Sequence, residues 1–220
     1  MTGKISVELL SSPEELEKFI MSAIKKALAE AIKKSAKQIE SQFSELVYKS
    51  VYNCMEMQEL RGGGLRHELG LSSGQASSAS EDIARTVADS VFVETQSPKG
   101  RDIGGLSVNI QPSNFANVLS ISGSTVDYFS KRYKEIVSLQ WLDWLLNRGD
   151  AIIVGKFHFQ EQPGKGRSGG GRMYKGGSWK ISSQFSGVED NNFISRALGE
   201  RASRGKMERI IEKTIQKNWK

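Results

Sequence analysis

The sequence predicts an α+β fold, in which a mainly antiparallel sheet packs against a long N-terminal helix and C-terminal helices. Three observations lead there. Helical periodicity runs without a proline or glycine break from Pro13 to about Met57. Short segments of alternating apolar residues gather in the middle of the chain, and helical patterns return after residue 190. Helices and strands do not alternate regularly, which argues against a parallel α/β sheet. At 220 residues the chain suits a single domain with a substantial core.

The opening helix is announced by Ser12-Pro13-Glu14-Glu15: a capping serine, proline at the first helical position, and glutamate three residues after the cap. Leu16, Phe19, Ile20, Ala23, Ala27, Ala31, Ser35, Ile39, Phe43, Leu46, Ser50 and Met55 then recur, mostly at steps of three and four residues. Unbroken to Met57, such a helix would span roughly 65 Å, more than the width of a domain this size. Part of it must therefore protrude, kink or pack on another subunit. Ala23, Ala27, Ala31 and Ser35 leave room for close approach of a neighbouring element. Ahead of the helix, Ile5, Val7 and Leu9 alternate as in a short strand.

After it, Leu60 to Arg66 reads as a glycine loop and Ser72 to Ser80 as a flexible serine-rich linker. Ser78 and Glu81 are spaced to cap a short helix carrying Ile83 and Val87. Strands are expected at Ser90 to Glu94, Leu106 to Gln111 and Asn117 to Ser122, with Pro112 and Ser113-Asn114 breaking the last two apart. A second helix is expected from Lys134 to Asn147, presenting Val137, Trp141, Trp144 and Leu145 as an apolar core stripe and ending at Gly149. Asp150 opens a strand with Ile153, Gly155, Phe157 and Phe159 on one face, and Ser178 to Ser182 returns beside it. Helices at Asn191 to Leu198 and Lys206 to Trp219 close the chain. The organisation is thus one α+β domain over 1–220: a long helix at 12–57, a flexible Gly-rich basic loop at 162–178, and a basic helical tail at 191–220.

Charge is distributed unevenly. Residues 164–220 carry 13 Lys/Arg against 5 Asp/Glu, a net +8, whereas residues 1–163 carry 18 against 20, a net −2. A cationic segment of this kind faces nucleic acid, an acidic partner surface, or simply solvent. No apolar run is long enough to cross a bilayer, and the first residues lack the apolar core of a secretory signal. Cys54 is the only cysteine, so an intrachain disulfide is impossible and a reducing site of synthesis is expected.

Chemical motifs are sparse. Gly164-Lys165-Gly166-Arg167-Ser168-Gly169 formally matches a dinucleotide fingerprint, but more glycines and a strand-like segment follow where that turn must open a helix. Two histidines, His67 and His158, with one cysteine cannot build a zinc site without carboxylates. His158 reads as a partly exposed sheet residue, Asp143 and Asp150 as solubility and turn residues, and Cys54 as inert packing on the long helix. No catalytic, cofactor-binding or metal-ligating residue is expected.

The glycine loop admits three readings. It is a flexible linker, a nucleic-acid loop with Tyr174 and Trp179 as stacking rings, or an assembly loop whose cations meet acidic partner surfaces. The candidate interface residues are Lys165, Arg167, Arg172, Tyr174 and Lys175 in the loop, and Arg204, Lys206 and Arg209 in the tail.

Four features in this order bear on those readings: the long amphipathic helix, Gly64-Leu65-Arg66, the Gly-rich basic loop ending in Gly176-Gly177-Ser178-Trp179-Lys180-Ile181, and Asn192-Phe193-Ile194 with Ala197-Leu198. Together they resemble the tail-completion, or minor tail, proteins at the neck of long-tailed bacteriophages. The resemblance spans most of the chain through short motifs. It departs from the family where Gly62-Gly63-Gly64 replaces the usual Thr-Gly before Leu-Arg. It implies a non-enzymatic α+β subunit of the virion, made in the host cytoplasm, without cofactor. It further implies a homo-oligomeric ring between tail tube and head connector, contacts with other neck proteins, transient contact with DNA in the lumen, and no membrane. A nucleic-acid-binding protein using the basic loop and tail is the alternative.

Overall fold

A computed structural model describes residues 12–100, 102–110, 115–130 and 134–219. The strand expected at Lys4 to Leu10 and the break at Pro112 lie outside them. The architecture is α+β. Helix α1 (Pro13–Tyr52) is the axis on which the other elements assemble. Its N-terminus has the capping box read from the sequence: the Ser12 side chain accepts from the Glu15 amide, and the Glu15 carboxylate accepts from the Ser12 amide. It stops at Tyr52, not Met57. Asn53 caps it, and the chain restarts as α2 (Met55–Gly62) with Cys54 at the N-cap.

The core side of α1 is Ile39, Phe43, Val47 and Val51, a four-residue repeat on which α4 (Ser73–Asp89) lies through Ala76, Ala79, Ile83, Ala84 and Val87. The serine-rich stretch is therefore helix and not a linker. Ser72 caps it with Gln75 as the reciprocal partner, and small side chains at Ala76, Ala79 and Ser80 let it approach closely. The predicted glycine loop is likewise helical: α2 runs through Gly62, and α3 spans Gly64–Glu68 with Leu65 buried.

Strands β1 (Phe92–Gln96) and β2 (Gly105–Asn109) pair antiparallel beside α1. The strand expected at Asn117 to Ser122 is instead α5 (Ala116–Leu119) and a 3-10 turn at Ser122–Ser124. The predicted helix from Lys134 divides, since Glu135–Leu139 is strand β4, paired with β3 (Val126–Ser130), and only Leu142–Leu146 is helix, α6. The β-branched pair Ile136-Val137 favours the pleated surface that β3 offers. Trp141, Leu142, Leu145 and Leu146 are buried, while Trp144 is only half-buried. Gly149 takes the left-handed conformation (φ 58°) after α6.

Strands β5 (Val154–Glu161) and β6 (Gly171–Trp179) form the third antiparallel pair. Among the described residues antiparallel pairing is thus spread over three two-stranded units rather than gathered in one sheet. Half of the expected loop at 162–178 is strand. Its remaining turn is tied by Gln162 N–H to Gly170 O and Gly164 N–H to Gly169 O (both 2.7 Å).

Helices α7 (Phe193–Gly199) and α8 (Arg201–Asn218) follow where helices were expected, although α8 begins at Arg201 and not at Lys206. Asn192 explains the Asn-Phe-Ile motif. Fully buried, its Oδ1 accepts from the Ile194 and Ser195 amides (both 3.1 Å), while its Nδ2 donates to Val188 O and Glu189 O. Asn192→Ala leaves the Ile194 and Ser195 amides and Glu189 O unpaired, while Val188 O keeps the Asn191 N–H, and is expected to cost about 2 kcal/mol or more, read by urea unfolding. Asn192→Asp keeps both acceptor bonds and should fall between. Helix α8 returns antiparallel along α1, and Ser35 makes the approach possible: its hydroxyl donates to Thr214 O (3.2 Å) and accepts from Asn218 Nδ2 (3.0 Å). Among the described residues no helix is long and apolar enough to cross a membrane.

Candidate assembly surfaces

The first surface is the N-terminal end of α1. Neighbours begin to cover the helix near Lys25, whose Nζ donates to Gly100 O at the β1–β2 turn (2.8 Å). Residues 12–24 stand clear of the body and are exposed throughout. Twelve residues of helix, Pro13 to Ile24, make an arm about 18 Å long. Leu16, Phe19, Ile20 and Ile24 recur on one side of it, with Met21 beside them, all exposed; Phe19 leaves 74% of its surface in solvent. Its flank is acidic at the first turn, with Glu14, Glu15 and Glu17 against Lys18. The length argument from the sequence required part of the helix to protrude, kink or pack on another subunit; α1 ends early, at Tyr52, and its first turns are exposed.

The second surface is a groove of about 700 Å³ under the β5–β6 hairpin. Phe157, Phe159 and Met173 from the hairpin, Val126 and Leu139 from β3 and β4, and Trp179 form its apolar walls. Phe157 and Phe159 share a face as the alternation predicted, with Met173 opposite Phe159 and Lys175 opposite Phe157 in the register. A bulge interrupts the pairing between Gly155 and Phe157, and His158 Nδ1 sits 2.9 Å from Gly176 O across it. Arg167, Arg172 and the carboxylate Glu68 line the groove, and Lys165 and Lys175 are exposed on the same hairpin. Burial raises the Glu68 pKa above the usual carboxylate range, and neighbouring Glu161 raises it further.

The hairpin is pinned to the end of the molecule where α1 stops. Arg61 stacks over the Tyr52 ring (3.9 Å) and donates to its carbonyl. Beyond α3, Arg167 donates to Gly70 O (2.9 Å) and Asp127 O (2.7 Å), and Ser168 to His67 O (3.2 Å). Gly166 has φ 74°, and a Cβ there would collide with the Gly171 carbonyl, so the turn requires glycine.

The predicted interface residues fall into two sets. Of the loop set, Lys165, Arg172 and Lys175 are exposed cations on the hairpin. Arg167 is a clamp holding hairpin, α3 and β3 together. Tyr174 is no free stacking ring: its hydroxyl donates to Gln162 Oε1 (3.0 Å), and its ring lies beside His158 and under Arg172. Arg204, Lys206 and Arg209 belong to α8, where the last two border a shallow channel against Gln42, Glu45 and Lys49 of α1. The two sets do not converge on one site.

Sequence reasoning missed the groove because the glycines of 169–177 hid β6. The signal available was the alternation of Gly171, Met173 and Lys175 opposite the Phe157–Phe159 face. Cys54 is not on the long helix, but its inertness has a physical cause: burial pushes the thiol up to about 12. An unfolded thiol titrates near 9. The folded state therefore resists ionisation, so Cys54 alkylation by iodoacetamide at pH 8 should be slow and should accelerate in urea. By the same linkage stability falls as pH rises above about 9.

No family model matches the chain, and neither curated proteins nor solved structures include a match to it.

Proposed function

We propose that this chain is a structural virion subunit of a tailed bacteriophage, one copy of a neck or tail-completion ring joining the tail tube to the head connector. The observation that carries the reading is the exposed apolar arm of α1, set at the opposite end of that helix from the basic hairpin. A closed ring is built from repeated heterologous contacts and needs two different faces on each subunit. The order of the four sequence features supports the same assignment. In this reading the subunit works by contact alone, without catalytic centre or cofactor. Its partners are further copies of itself, connector and tail-tube proteins, and DNA passing through the lumen.

The basic face of α8 supplies the test. Reversing charge at the exposed side chains of Arg204, Lys206 and Arg209 to Glu should leave the melting temperature unchanged and abolish head–tail joining in a complementation assay with purified heads and tails. Normal joining by that variant removes the tail from the interface. A native chain that stays monomeric under electron microscopy and binds duplex DNA with steep salt dependence overturns the ring in favour of nucleic-acid binding.

A further inference from the structure

We propose that the α1 arm, Pro13 to Ile24, docks by its Leu16–Phe19–Ile20–Ile24 stripe into the groove under the β5–β6 hairpin of a second copy of this chain. The proposal rests on the assembly-subunit reading and names the contact that reading requires.

Two observations select the occupant. The first is position. Arm and groove lie at opposite ends of a 40-residue helix, roughly 60 Å long at 1.5 Å per residue. A chain therefore cannot fill its own groove with its own arm, and each copy exposes both halves of the contact. The second is complementarity. Four apolar side chains at i, i+3, i+4 and i+8 form the pattern an amphipathic helix lays into an apolar groove. The first turn of the arm carries Glu14, Glu15 and Glu17, and among the described residues the groove lining carries Arg167 and Arg172 against the carboxylate Glu68. Opposite charge at the rim sets orientation and favours encounter.

The geometry also explains Lys25, whose bond to Gly100 fixes the direction in which the arm leaves the body. Because arm and groove are different patches, the contact is heterologous and propagates from copy to copy until a ring closes.

The test uses the full chain with Cys54 replaced by Ala. One variant carries Phe19→Cys in the arm and a second carries Met173→Cys in the groove. Mixed under mild oxidation, they are expected to form a disulfide-linked pair of one chain of each kind, while neither variant alone cross-links. A disulfide pair formed by Phe19→Cys alone would mean that arms pack on arms, and overturns the proposal. So does the absence of any mixed pair. The double variant Phe19→Asp/Ile20→Asp, whose sites are solvent-exposed, should keep the native melting temperature and weaken self-association at least about 30-fold by mass photometry. Rings that persist in that variant retire the arm contact and leave the ring reading standing. Arm–groove cross-links in an assembly that does not join heads to tails retire the neck reading and leave the contact standing.

Discussion

Replacing Trp141 with alanine is expected to destabilise the chain by about 3–5 kcal/mol, the range for deleting a large aromatic side chain from a packed core. Trp141 is fully buried, and its indole N–H donates to Gly123 O (3.1 Å), so truncation opens a cavity and also orphans a carbonyl. For a chain of this length that corresponds to a fall in melting temperature of roughly 6–20 °C. Trp144, one turn further along, is the control. It is half-buried, donates to Ala151 O (3.2 Å) and lies under the Arg148 guanidinium (4.9 Å). Trp144→Ala should cost no more than about 2 kcal/mol. Equal losses in the two variants, measured by denaturant unfolding, would contradict the assignment of Trp141 as the core tryptophan.

The second large effect is expected at Arg196. Its Nη2 and Nε donate to Glu56 Oε1 (2.6 and 3.1 Å), and its Nη1 reaches Asn191 O and Oδ1 (both 3.2 Å). Glu56 is buried, so Arg196→Met strands a carboxylate inside the fold. Breaking a buried pair from one side costs about 3–5 kcal/mol, and the partial exposure of Arg196 places this variant near the lower figure. Adding Glu56→Leu removes the stranded charge and should recover most of the loss, because an apolar pair can replace a buried ion pair at little cost. A double variant as unstable as Arg196→Met would show that the damage lies in the Asn191 contacts and not in the unpaired charge.

These two sites show how far the sequence reaches. The start of α1, the helices at the C-terminus and the α+β class followed from local chemistry: a capping box, an Asn cap, and apolar residues at helical spacing. Each is decided within a few residues of chain, so each is legible without tertiary information. The Phe157–Phe159 face was legible for the same reason, as an alternation in a single strand. The mistaken segments share a different cause. Ser72 to Ser80 has the composition of a linker, yet small side chains are what allow a helix to lie tightly on Phe43 and Val47. Glu135 to Leu139 continues a helical period into α6, yet pairing with β3 overrides it. Residues 171–179 are glycine-rich, yet β5 supplies the ladder that orders them.

The candidate site was legible in part. The excess length of α1 and the cations of hairpin and tail could be read from the residues. What only the tertiary structure decided is which of these are spent inside the molecule and which are left facing outward. Arg167 and Tyr174 bond within the chain, whereas Lys165, Arg172 and Lys175 remain at the surface. The Leu16–Ile24 stripe looks like any core-facing helix in sequence, yet in the structure it is exposed and no described element packs on it. The reason is physical: periodicity records that a face is apolar, and burial depends on partners 100 or more residues away, such as the Glu56–Arg196 pair. Local propensity fixed where this chain forms helices; long-range packing decided which of their faces stay open to a neighbour.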